Sequence, residues 1–213
     1  MKETTRRILD DLTARYAPLA ACRADIERAF ETMNGCFAAG GKLLLCGNGG
    51  SAADCEHIAG ELLKSFRIKR PVTAAFAEKL KAAGDCSETL AARLERGLPV
   101  ISLCGHPAFS TAFINDSEPL LTYAQQVHAL GRKGDVLLSI STSGNAKNCY
   151  YAAVTARALG MKTLLLSGRT GGALKEVSDC AVIVPESETY KIQELHLPVY
   201  HCLCAMLENE FFA

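Results

Sequence analysis

The sequence predicts a doubly wound α/β fold, with a five-stranded parallel sheet flanked by helices. Five short runs rich in Val, Ile and Leu occur at Lys42–Cys46, Pro99–Cys104, Asp135–Ile140, Lys162–Ser167 and Cys180–Val184. Each is continuously apolar rather than alternating, as expected of strands covered on both faces. Helical patterns separate these runs, and strand–helix–strand repetition gives a parallel sheet with right-handed crossovers. The first and third runs end in small polar residues directly before a helix, which places a ligand crevice at the carboxyl edge of the sheet.

Taken in order, residues 1–39 show helical spacing at Ile8, Leu12 and Tyr16, then at Ile26, Phe30 and Met33. The pattern breaks at Ala17-Pro18 and ends at Gly40-Gly41, so two helices joined by a bend are expected. Residues 68–98 are charged and helix-forming, and read as a helical insertion on the surface. Further helices are expected over Ala146–Leu159 and Tyr190–Phe211, with a kink at Pro198, which removes the backbone bond to Glu194. At 213 residues one domain, 1–213, accommodates all of this.

Composition narrows the function. Lys plus Arg and Asp plus Glu both number 23, so there is no basic field for direct nucleic-acid binding. No apolar run approaches the ~20 residues that cross a bilayer, which argues against a membrane partner. The start, MKETTRRILDDLTARY, is charged and periodic, unlike a signal or transit peptide. Ten cysteines are scattered through apolar segments without a C-x-x-C pair. They read as reduced core residues, which suits a cytoplasmic location.

Two loops point to a phosphate. The first is Gly47-Asn48-Gly49-Gly50-Ser51; the second is Ser139-Ile140-Ser141-Thr142-Ser143-Gly144-Asn145. Glycines allow close backbone approach to an anion, and the free N–H groups at helix N-termini point at it. Ser and Thr hydroxyls add donors without bulk. Either loop alone reads equally well as an ordinary turn and helix cap; two in one sheet favour the phosphate. Neither matches G-x-x-x-x-G-K-[ST] or G-x-G-x-x-G, so a nucleotide is not implied.

His57 and Glu61 stand at i and i+4, on one helix face. The C-terminal helix adds Gln193, Glu194, His196 and His201. Two such clusters in one chain suggest a metal or acid–base site, and imidazole with carboxylate suits zinc or another divalent transition ion. A phosphate cradle with a carboxylate and a histidine, and no nucleotide, fits an aldose–ketose isomerase. Such an enzyme moves one proton between adjacent carbons through an enediolate.

CGNGGSAAD…HIAGEL, ISTSGNAKN, LSGRTGG and IQELHLPVYH together resemble the sugar isomerase (SIS) family, specifically its phosphoheptose isomerase branch. That branch converts sedoheptulose 7-phosphate to D-glycero-D-manno-heptose 7-phosphate. The resemblance implies the SIS fold and makes Ser51, Ser141 and Ser143 phosphate-loop residues, with Asn48, Gly49, Gly50 and Thr142 beside them. It makes His57, Glu61, Gln193 and His201 the ligands of one zinc per chain, and Glu61 and His201 the catalytic pair. It also implies a homotetramer with sites lined by neighbouring subunits.

The chain departs from the branch at two places. Ala146 follows SGN where a serine is usual, and His106, in Cys104-Gly105-His106-Pro107-Ala108, replaces an aspartate that reaches the sugar. Asn115 and Asp116 are retained and join the expected substrate-binding set. Relatives that bind a replication initiator or sense phosphosugars without catalysis define the alternative to an isomerase, and a lyase acting on an amino-sugar phosphate is a third.

Overall fold

A computed structural model describes residues 1–213. The N-terminal helices are α1 (Glu3–Arg15) and α2 (Arg23–Ala38), joined by a 3-10 turn over Ala17–Cys22 with Pro18 in its first turn. The sheet consists of β1 (Leu43–Gly47), β2 (Val100–Ser102), β3 (Val136–Ile140), β4 (Lys162–Ser167) and β5 (Cys180–Ile183). The strands are all parallel, in the order β2-β1-β3-β4-β5. The expected five strands are therefore present, with β2 shortened to three residues.

The helices between strands are α3 (Gly50–Leu63), α6 (Pro107–Asp116), α7 (Thr122–Leu130), α8 (Lys147–Ala158) and the short α9 (Gly172–Glu176). Helix α10 (Thr189–Phe212) closes the chain and runs through Pro198 as a single element. The insertion forms α4 (Ala74–Ala83) and α5 (Ser87–Arg93), neither of which buries a residue.

Two apolar layers sandwich the sheet. Leu43 and Leu45 face α1, α2, α3 and α10, while Leu44 and Cys46 face α7 and α8. Each fully buried leucine contributes about 1.5–3 kcal/mol, so a continuous apolar strand stabilises both layers at once. Eight of the ten cysteines are buried in these layers.

The two edges of the sheet differ in chemistry. At the amino edge, buried Asp135 accepts from Lys42 N at 2.9 Å and Arg132 N at 2.8 Å, and Asp179 accepts from Thr163 N at 2.8 Å. These carboxylates tie neighbouring strands in register. The carboxyl edge instead carries the Gly- and Ser-rich loops. Strand order reverses between β1 and β3, and both loops leave the sheet there, where a doubly wound fold holds its ligand.

Candidate active site

The loop after β3 is held by short bonds of its own and by the segment that follows β4. Ser143 Oγ accepts from Asn145 N at 3.2 Å, and Asn145 Nδ2 donates to Ser143 O at 3.1 Å. Gly144 has φ +67° and packs onto the turn before α9: a Cβ there would stand 1.8 Å from Gly171 O. Only glycine fits, so the loop is locked against Gly171 and Gly172. Ser141 is buried and Thr142 half-buried. Ala146 occupies the N-cap of α8 with no side-chain acceptor, so the Lys147 and Asn148 N–H groups are uncapped, while Cys149 N donates to Asn148 Oδ1 at 3.0 Å.

The loop after β1 joins it across the strand-order reversal. Asn48 and Asn148 exchange amide bonds, Asn48 Nδ2 to Asn148 Oδ1 at 3.0 Å and Asn148 Nδ2 to Asn48 Oδ1 at 2.8 Å. Tyr123 donates its hydroxyl to Gly47 O and steadies the end of β1. Ser51, in the first turn of α3, is buried. The motif reading passed over Asn148 and Tyr123, although Asn148 ends the quoted ISTSGNAKN.

Helix α3 leads from the loop after β1 to His57 and Glu61. Gly50, Asp54, His57 and Glu61 recur at one face of the helix. Gly50 faces Gln193: a Cβ at Gly50 would lie 2.6 Å from Gln193 Nε2. His57 faces Tyr200 and His201, so α3 and α10 run in the same direction. His57 Nδ1 lies 3.0 Å from the Tyr200 hydroxyl, and its Nε2 lies 3.1 Å from Glu61 Oε1 and 3.4 Å from His201 Nε2. The Glu61 side chain is only 15% exposed. Burial, with His57 adjacent, lowers the pKa of His201, which is therefore neutral near pH 7.

The structure thus brings His57, Glu61 and His201 together and sets Gln193 against Gly50 on the same helix pair. No three His, Cys, Asp or Glu side chains converge on one point in the manner of a metal centre. The three donors instead form a chain through His57 Nε2. Their chemistry still fits a cation, because a carboxylate oxygen and two imidazole nitrogens contain more acceptors than available protons. The groups that could hold a divalent ion are His57, Glu61 and His201, with Gln193 the fourth candidate.

His196 takes no part in this cluster. It is fully buried on another face of α10, and burial pushes its pKa down to about 4. Asn115 and Asp116 also lie apart: they end α6, pair with each other at 2.8 Å, and are exposed. His106 begins α6 at the carboxyl edge. Its Nδ1 lies 2.6 Å from Gln126 Oε1, while Gln126 Nε2 donates to Leu103 O at 3.0 Å and Thr122 O at 3.3 Å. That amide has its donors occupied, so Nδ1 of His106 carries the proton.

The C-terminal end of α3 is held by an ion pair sealed from solvent. Arg70 and Glu208 side chains are 0% and 1% exposed, with Nε to Oε1 at 2.8 Å. Arg70 also donates to Leu62 O at 2.9 Å and Glu61 O at 3.2 Å, capping the turn that carries Glu61. Glu208 accepts from Phe66 N and Arg67 N, both at 2.8 Å. Beside His201 an open groove of ≈ 340 Å³ runs between α1 and α10, lined among others by Leu12, Phe66, Leu197 and Pro198.

The SIS domain family model matches residues 9–98 and 89–168. The chain belongs to this family. The phosphoheptose isomerase of Akkermansia muciniphila is 33% identical over 212 residues, 100% of this chain and 99% of that protein. That of Helicobacter pylori strain P12 is 43% identical over 171 residues, covering 80% of this chain and 76% of its own. Among solved structures, phosphoheptose isomerase from Neisseria gonorrhoeae aligns with TM-score 0.69 and 30% identity, covering 93% of this chain and 98% of the other. The Francisella tularensis enzyme aligns with TM-score 0.71 and 29% identity, over 98% and 100%. Within the SIS family the chain is therefore similar to phosphoheptose isomerases in both sequence and fold.

Proposed function

We propose that this SIS-family chain is a phosphosugar isomerase that converts sedoheptulose 7-phosphate to D-glycero-D-manno-heptose 7-phosphate. The observation that carries the reading is the placement of His57 and Glu61 on α3, the helix that begins at the first loop, with His201 of α10 facing them. Gly50 and His57 are separated by about 10 Å along α3 at 1.5 Å per residue. That span suits a long open-chain sugar, with its phosphate at the loops and its carbonyl end beside His57, where Glu61 Oε1 meets the ring at 3.1 Å.

The phosphate is received by the hydroxyls of Ser51, Ser141 and Ser143 and by the N–H groups of Gly50, Lys147 and Asn148 at the starts of α3 and α8, with Asn48 and Thr142 at the rim. Glu61 takes the proton from C1 of the ketose and returns it to C2, forming and collapsing an enediolate. Neutral His201 accepts and returns the proton exchanged between the two oxygens. His106 offers its unprotonated Nε2 as an acceptor for a sugar hydroxyl. A zinc ion held by His57, Glu61, Gln193 and His201, one per chain, would supply Lewis-acid polarisation of the carbonyl.

A homotetramer completes the reading. The groove beside His201 and the exposed Leu197 offer an apolar face next to the site, and Asn115 and Asp116 lie free for a neighbouring subunit. Free, largely buried cysteines suit a reducing cytoplasm.

Proton exchange tests the reaction. The zinc-supplied protein and sedoheptulose 7-phosphate in heavy water should yield aldose carrying deuterium, followed by NMR. Glu61→Gln should abolish both exchange and aldose while phosphosugar binding persists. Folded wild-type protein that gives neither signal would overturn the isomerase and favour phosphosugar binding without catalysis.

A further inference from the structure

We propose that Tyr200 is a positioning residue that sets the tautomer of His57, with Asp54 orienting the Tyr200 hydroxyl. The inference rests on His57 serving as a cation ligand. Tyr200 is 2% exposed, its ring meets that of His57 edge-on at 5.5 Å, and its hydroxyl lies 3.0 Å from His57 Nδ1. The Asp54 carboxyl, one turn before His57 on α3, faces the same hydroxyl. Its Oδ2 is buried without a hydrogen-bond partner, an acceptor with nowhere else to turn.

A tyrosine hydroxyl has a single proton to give. Donated to Asp54, it leaves the phenolic oxygen to accept from His57 Nδ1–H, and His57 Nε2 then carries a lone pair. Donated to His57 Nδ1, it forces the ring proton onto Nε2, where it binds Glu61. A hydrogen bond to a carboxylate is roughly twice as strong as one between neutral groups. With Asp54 ionised the first arrangement wins, and Asp54 is the group that decides it.

The consequence falls on the reactive end. The Nε2 lone pair of His57 is turned toward Glu61 Oε1 at 3.1 Å and His201 Nε2 at 3.4 Å. Acceptors facing one another repel unless a proton or a cation stands between them. The buried Asp54–Tyr200 pair thus prepares His57 for a cation and keeps Glu61 from being tied up by an imidazole N–H. A ligating histidine whose other ring nitrogen is fixed in this way is the usual arrangement at metal sites.

The test reads the tautomer directly, by long-range proton–nitrogen NMR on labelled, metal-free protein, and zinc affinity by competition with a chromophoric chelator. Wild type should show His57 protonated at Nδ1. Tyr200→Phe keeps the ring packing, should move the proton toward Nε2, and should weaken zinc binding about 10–100-fold. Asp54→Ala should shift the tautomer the same way, and the double variant should lose no more than Tyr200→Phe alone, since Asp54 acts through Tyr200. An unchanged Nδ1–H tautomer in Tyr200→Phe, or additive losses in the double variant, would overturn the proposal. A wild type without zinc affinity would sink the ligand assignment, while the tautomers of the variants would still decide the role of Tyr200.

Discussion

The two ends of the site are built on different principles. The loop end, where we propose that the phosphate binds, is shaped by glycines, by side chains bonded within and between the loops, and by helix N-termini. The reactive end is made of side chains from two parallel helices, α3 and α10, whose atoms meet only because distant residues hold them. His57 touches Tyr200 from 143 positions away, and Arg70 reaches Glu208 from 138 positions away. Glycines and short-range bonds shape each loop, and Asn148 and Tyr123 tie the first loop to distant elements, whereas the helix end depends on buried polar groups that must all be satisfied together.

The largest test of this contrast is at Glu208. Glu208→Ala leaves a buried arginine without its partner and two N–H groups without acceptors. Breaking a buried pair from one side costs about 3–5 kcal/mol, and urea unfolding should show a loss of that size. Replacing both partners, Arg70→Met with Glu208→Leu, should recover much of the loss. A single-variant loss below about 1 kcal/mol would mean that water reaches the pair and that α3 is not clamped there.

The loop end should fail in a different way. Gly144→Ala forces a left-handed backbone on a residue with a side chain, costing about 1–3 kcal/mol. Its Cβ also collides with Gly171 O. Displacement of the loop should weaken binding of inorganic phosphate, measured by calorimetry, while zinc affinity stays unchanged because the reactive end is held by other contacts. Equal loss of both ligands would show that the two ends are mechanically one unit, and the contrast would collapse.

The same difference explains what the sequence revealed. Strand boundaries came within a residue or two because buried parallel strands leave continuous apolar runs, and the loops were legible because their turns demand Gly and Ser in place. His57 and Glu61 were legible from their spacing. Neither Tyr200, in VYHC, nor Asp54, in GSAADC, carries a spacing or motif signal of its own. Their roles exist only when α3 and α10 lie side by side. Arg70 and Glu208 were hidden for the same reason, since nothing local to either shows that the other will neutralise it. His196 shows the converse. Its neighbours in QELHLPVYH suggested a functional cluster, but its place on the helix turns it into the core.

The smallest expected effect concerns the α4–α5 hairpin. Neither helix buries a residue, and the hairpin's ends are joined at its base by the antiparallel bridge between Pro71 and Glu95. Ser65 fixes that base by donating its N–H and hydroxyl to Glu95 at 2.8 and 2.7 Å, and Arg96 lies over Phe212 at 5.0 Å. The hydrogen bonds and the stacking contact that fix the base of the hairpin therefore lie at residues 65–71 and 95–96. Replacing residues 73–93 by a short Gly-Ser turn joins points already adjacent, and shortening a loop changes closure entropy by only about 0.6 kcal/mol per halving. The shortened chain should match the parent in urea unfolding to within about 1 kcal/mol and keep its zinc affinity. A much larger loss would place unseen weight on the hairpin. Unchanged stability with altered assembly by sedimentation would assign the hairpin to contacts between chains, a role for which burying nothing within its own chain leaves it free.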